Sequence, residues 1–123
     1  MRALVVDDSR AIRRIIGRAI SELGFEQFEA GHGREALDRL AESGRMDLIL
    51  VDWNMPEMNG YEFLVIARQN PMWNDTVIMM VTTETEMSHM QRALEAGANE
   101  YVMKPFTTDV LREKLQLVGL GTI

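Results

Sequence analysis

Short apolar runs that end on polar residues alternate along this chain with stretches in which apolar residues recur every three or four positions. The runs are Ala3–Val6, Phe25–Ala30 (the weakest), Leu48–Val51, Val77–Val81 and Tyr101–Met103. Each is too short for a helix, and the continuous apolar ones fit strands buried on both faces. Between them the helical spacing predicts five helices. The first carries Ile12, Ile15, Ile16, Ala19, Ile20 and Leu23, with Arg10, Arg13, Arg14 and Arg18 largely opposite, and Gly24 suits its left-handed cap. The second carries Ala36, Leu37, Leu40 and Ala41 and stops at Gly44; the third uses Phe63, Leu64 and Ala67 and ends before Asn70-Pro71. The fourth is expected to line Met90, Ala93, Leu94 and Gly97 along one face, and the fifth, from about Thr108, to turn Val110, Leu111, Leu115 and Val118 inward.

Strands alternating with helices predict an α/β fold: a doubly wound five-stranded parallel sheet with helices on both faces. Right-handed crossovers then bring the carboxyl ends of all the strands to one rim. That rim collects Asp7 and Asp8 from the first strand, Asp52 from the third, Thr82 from the fourth and Lys104 from the fifth. Ligands of doubly wound sheets bind at this rim.

Composition narrows the field. A length of 123 residues predicts one domain over 1–123, and no apolar run is long enough to cross a bilayer. The amino terminus runs straight into acidic residues, unlike a secretory signal, so a cytoplasmic protein that does not engage membranes is expected. A net charge of −6 argues against a nucleic-acid surface, and the absence of Cys removes thiolate metal sites and disulfides.

The rim carries the chemistry. Three carboxylates about 5 Å apart repel by roughly 3 kcal/mol per pair at an effective dielectric near 20, which protons or a cation must relieve. A hard divalent ion suits an all-oxygen set, and magnesium keeps waters that a phosphate can replace. Capping of the first helix is the competing role for Asp7 and Asp8. An ionised Asp52 is a competent nucleophile toward phosphorus, with Lys104 as compact positive charge and Thr82 as hydroxyl donor.

In that order and at that spacing, Asp7-Asp8, Asp52, Thr82 and Lys104-Pro105 resemble the receiver domain of two-component response regulators over essentially the whole chain. Asp52-Trp53-Asn54-Met55-Pro56, Thr82-x-Glu84 and Tyr101-x-x-Lys104-Pro105-Phe106 are similar to its single-domain chemotaxis type. The resemblance implies a flavodoxin-like strand order 2-1-3-4-5 and Asp52 as phosphoacceptor from a histidine kinase. It also implies Asp7, Asp8, Asp52 and the Asn54 backbone carbonyl as Mg2+ ligands. Thr82 and Tyr101 would be the switch pair, Lys104 the phosphoryl contact, and Lys104–Pro105 a cis peptide. Expected partners are the kinase, an output protein such as the flagellar motor switch, and a phosphatase, with the chain itself a monomer.

Two positions depart from the usual pattern: Gly31-His32-Gly33, and Asn59 where Asp is usual before Gly60. The chain stops soon after the fifth helix, so no output domain is expected in it. A phosphorelay or docking receiver outside motility is the alternative. A flavodoxin-type carrier is disfavoured because Asp7-Asp8-Ser9 would repel a phosphate. A haloacid-dehalogenase-type phosphatase is disfavoured because Asn54 cannot serve as its general acid. The expected protein is thus a signalling switch that catalyses only its own phosphorylation and dephosphorylation.

Overall fold

The computed structural model describes residues 1–120; the last three positions of the expected 1–123 domain lie outside the described residues. Five strands, β1 (Arg2–Val6), β2 (Glu26–Ala30), β3 (Leu48–Asp52), β4 (Val77–Thr82) and β5 (Glu100–Met103), form one sheet in the order β2-β1-β3-β4-β5. All four pairings are parallel. The helices are α1 (Arg10–Glu22), α2 (Gly33–Ser43), α3 (Gly60–Arg68), α4 (Met90–Glu95) and α5 (Thr108–Leu117). Short 3-10 segments over Pro71–Trp73 and Glu84–His89 precede β4 and α4.

The doubly wound expectation holds in detail. Ile49, Val51, Ile78 and Met80 face Ala36, Leu40, Phe63, Leu64, Met90 and Ala93 of α2, α3 and α4. Leu48, Leu50, Met79, Val81 and Val102 face Ile16, Ile20, Leu111 and Leu115 of α1 and α5. Every residue of β3 and β4 is buried, which is why their runs are uninterrupted in sequence. Edge strand β2 is exposed at Glu26 and Gln27, and its apolar signal is correspondingly weak.

The inward faces are narrower than the periodicity suggests. Leu94 and Val110 are exposed, at 41% and 40%, although both were expected inward, and Ile15 is exposed at 65%. Helix α4 turns Met90 and Ala93 into the core and ends at Glu95, which leaves Leu94, one step round the helix, partly uncovered. On α5 the buried pair is Leu111 and Leu115, and Val110 flanks it. Ala41 is likewise exposed, and Gly97 lies beyond α4 with φ +117°.

Caps set the helix starts. Ser9 Oγ accepts from the Ile12 N–H at 3.2 Å, so Ser9, not Asp7 or Asp8, caps α1. His32 caps α2 through Nδ1, accepting from the Glu35 N–H at 3.2 Å. Asn59 and Glu62 form a reciprocal capping box on α3, at 2.9 and 3.0 Å. Both departures from the receiver pattern therefore do local work at helix entrances.

Candidate functional site

The sheet order reverses between β1 and β3, and side chains at the carboxyl ends of those strands meet there. Asp7 and Asp52 are 1% and 5% exposed; Asp8 is exposed. One carboxylate oxygen from each of the three lies within 4.8 Å of the others. Lys104, arriving from β5, places Nζ 3.1 Å from Asp7 Oδ2 and 3.1 Å from Asp52 Oδ1. The Lys104–Pro105 peptide is cis, as the resemblance implies.

The acids are held from behind. Asp7 Oδ1 accepts from the Ser9 N–H at 2.8 Å, while the Asp7 carbonyl accepts from Arg13 Nη1 at 2.7 Å. Arg13 is anchored in turn to Glu29 at 3.1 Å. On the other strand, the Trp53 N–H donates to Val81 O and the Gly60 N–H to Trp53 O, both at 2.9 Å. Gly60 is required there: a Cβ would lie 2.5 Å from the Asp52 carbonyl oxygen and 3.0 Å from Trp53 Cα.

Burial pushes the Asp52 carboxyl up to about 6, and the Asp7 charge adds to the rise while Lys104 opposes it. For Lys104, burial alone would lower the ammonium pKa, but the charges and hydrogen bonds of Asp52 and Asp7 together raise it. One lysine thus balances three carboxylates and leaves an excess of two negative charges. An all-oxygen donor set with that excess fits a hard divalent cation, so the residues present suit the magnesium implied by the resemblance.

The other expected site residues flank this cluster. Thr82 ends β4 fully buried, and its hydroxyl donates to the Thr83 carbonyl at 3.2 Å. Asn54 follows in the exposed loop after β3. Tyr101 is half-buried on β5, aligned with Met80, and Lys114 Nζ stands 4.6 Å over its ring.

The structure adds residues that the sequence reading passed over. Glu86 Oε2 accepts from the Thr83 and Thr85 hydroxyls at 2.7 and 3.0 Å, whereas its Oε1 is buried without a partner. Burial would raise the Glu86 pKa, but those hydroxyl bonds outweigh it and bring it down. His89 stacks on Trp53 at 5.2 Å between centroids and 8° between planes, and Tyr61 tilts against the same indole at 5.9 Å. Arg13 was read only as part of the polar face of α1. A Thr-x-Thr-Glu run could have suggested the Glu86 contacts; no sequence signal pairs Trp53 with His89.

Comparison with known proteins decides the family: the response regulator receiver domain profile matches residues 3–116. The chain belongs to the response regulator receiver family. This receiver domain is 46% identical to the chemotaxis protein CheY1 of Helicobacter pylori, over 99% of this chain and 98% of that protein. It is 47% identical to the chemotaxis protein CheY homolog of Campylobacter jejuni, over 99% and 94%. Among solved structures it resembles the chemotaxis response regulator CheY4 of Vibrio cholerae, with a TM-score of 0.86 at 38% identity, covering 95% of this chain and 97% of that one. Receiver membership sets aside the electron-carrier and phosphatase readings. Among the described residues no helix is long and apolar enough to cross a membrane.

Proposed function

We propose that this receiver is a phosphorylation-activated switch in chemotaxis, with Asp52 as the acceptor. One observation carries the reading: a buried Asp52 carboxylate, shared through Lys104 with buried Asp7, at the end of a central strand. An oxygen of Asp52 attacks the phosphorus of a phosphohistidine donor; the phosphorus–nitrogen bond breaks, and the imidazole nitrogen leaves with the electron pair. Asp7, Asp8, Asp52 and the Asn54 carbonyl would hold Mg2+, which when bound supplies positive charge to the phosphoryl oxygens. Lys104 pairs with the transferred group, and Thr82 offers it a hydroxyl in place of the weak bond to its own loop. Tyr101 reads the change out on the surface of α4, β5 and α5.

The chemotaxis assignment is supported by full-length similarity to chemotaxis proteins at 46–47% identity. On this reading the donor is a histidine kinase, the output partner a flagellar motor component, and a phosphatase resets the monomeric, cytoplasmic switch. The test is Trp53 fluorescence in a Trp73→Phe background. Magnesium should change it, and beryllofluoride should change it further. Loss of the beryllofluoride response in Asp52→Asn supports the assignment; an unchanged response contradicts it.

A further inference from the structure

The acceptor loop and the segment leading into α4 are joined by the Trp53–His89 stack, which the phosphoryl chemistry does not use. The rings lie 5.2 Å apart and nearly parallel, at 8°. The Trp53 backbone is fixed: its N–H and carbonyl are both hydrogen-bonded, and Gly60 packs against its Cα. Tyr61 closes on the indole from α3, with the Arg92 guanidinium of α4 4.5 Å over the Tyr61 ring.

The other half of the stack is tied to the Thr82 loop: Glu86 accepts from the Thr83 and Thr85 hydroxyls, and its N–H donates to the Thr83 carbonyl at 3.0 Å. The 3-10 segment Glu84–His89 contains no buried residue, and Thr83 gives it no side-chain cap. It begins two residues after Thr82, and His89 is its last residue. Any shift of the Thr82 loop toward Asp52 therefore drags a segment whose far end rests flat on an indole carried by a pinned backbone.

We propose that the Trp53–His89 stack is a resting-state latch. It ties the β4–α4 segment to the acceptor loop, and it breaks when the acceptor is occupied. His89 is then a positioning residue that sets the equilibrium between resting and active forms without touching the phosphoryl group. The proposal rests on the reading of Asp52 as acceptor. A contact made in only one of two states biases the equilibrium by its own strength, and an aromatic stack of this kind corresponds to a factor of about two to ten.

The test is calorimetric titration of the intact chain with beryllofluoride in saturating magnesium, in a Trp73→Phe background, with Trp53 emission recorded in parallel. His89→Ala should bind beryllofluoride about two- to tenfold more tightly. Its Trp53 emission before titration should already resemble that of the occupied wild type. His89→Phe, which keeps a flat ring on the indole, should restore both the affinity and the emission change. Equal or weaker binding by a folded His89→Ala, with a responsive wild type, overturns the latch alone. A wild type that does not bind beryllofluoride overturns the acceptor reading and the latch with it.

Discussion

Asp52 carries its charge at a cost. Its carboxyl sits at about 6 rather than 3.8, mainly because it is buried and then because Asp7 stands beside it. A raised folded-state value means that the stability contributed by this one group is fully present below 3.8 and is lost as pH rises through 6. Asp52→Asn should therefore stabilise the metal-free chain by about 1–3 kcal/mol above roughly pH 7, with the gain vanishing below about pH 4. Denaturant melts across pH check this; a gain that persists in acid would mean that the charge is not its source. Gly60 is the second sensitive residue. A methyl there would press on the Asp52 carbonyl at 2.5 Å, and backbone cannot yield as a flexible side chain can. Gly60→Ala should cost about 2–4 kcal/mol and weaken magnesium binding, both measurable in one calorimetric series.

Among the elements, the connections that frame β4 and β5 depend on one side chain. The Arg68 guanidinium, at the end of α3, donates to Gly97 O, Trp73 O, Thr76 O and Asn99 Oδ1 at 2.6–2.9 Å. Lysine keeps the charge but cannot span four acceptors. Arg68→Lys should therefore destabilise by about 2–4 kcal/mol, read as a shift in denaturant midpoint, while leaving phosphoryl acceptance at Asp52 in place. A neutral result would show that water can replace these bonds. Arg68 was invisible in sequence because three of its four partners are backbone carbonyls, which carry no residue-type signal. The central strands were legible for the opposite reason: burial on both faces writes an unbroken apolar run, as in Leu48–Val51. Periodicity located the helices but misjudged Leu94 and Val110, because spacing alone cannot say how wide a face its neighbours cover. The acid cluster was legible because strand ends converge by topology, so Asp7, Asp52 and Lys104 needed only the right positions along the chain. The Ser9 cap is a local i to i+3 bond, but Asp7 and Asp8 beside it offered the same chemistry, whereas the His89 stack depends on a contact between elements that residue types do not encode.

For the whole molecule, the sheet puts the Asp52 side chain and the Tyr101 ring on opposite faces. Asp52 aligns with Val81 and Val102, whose side chains face α1 and α5, whereas Tyr101 and Met80 face the α2–α4 layer. Strand alternation puts Thr82 on that second side. On the proposed function, a change at Asp52 reaches Tyr101 around the strand ends, through Thr82 and the segment after it. Thr82→Ala should accordingly leave Asp52 able to accept a phosphoryl group, at a rate lowered less than about tenfold, while the NMR signals of Tyr101 no longer move with beryllofluoride. A Tyr101 that still responds would place the route elsewhere. The central claim is that Asp52 is the acceptor, and site-resolved mass spectrometry after incubation with phosphoramidate and magnesium tests it most directly. One added phosphoryl group is expected, mapped to Asp52 and absent from Asp52→Asn. A chain that gains none, or an Asp52→Asn variant labelled as fast as the wild type, would contradict it.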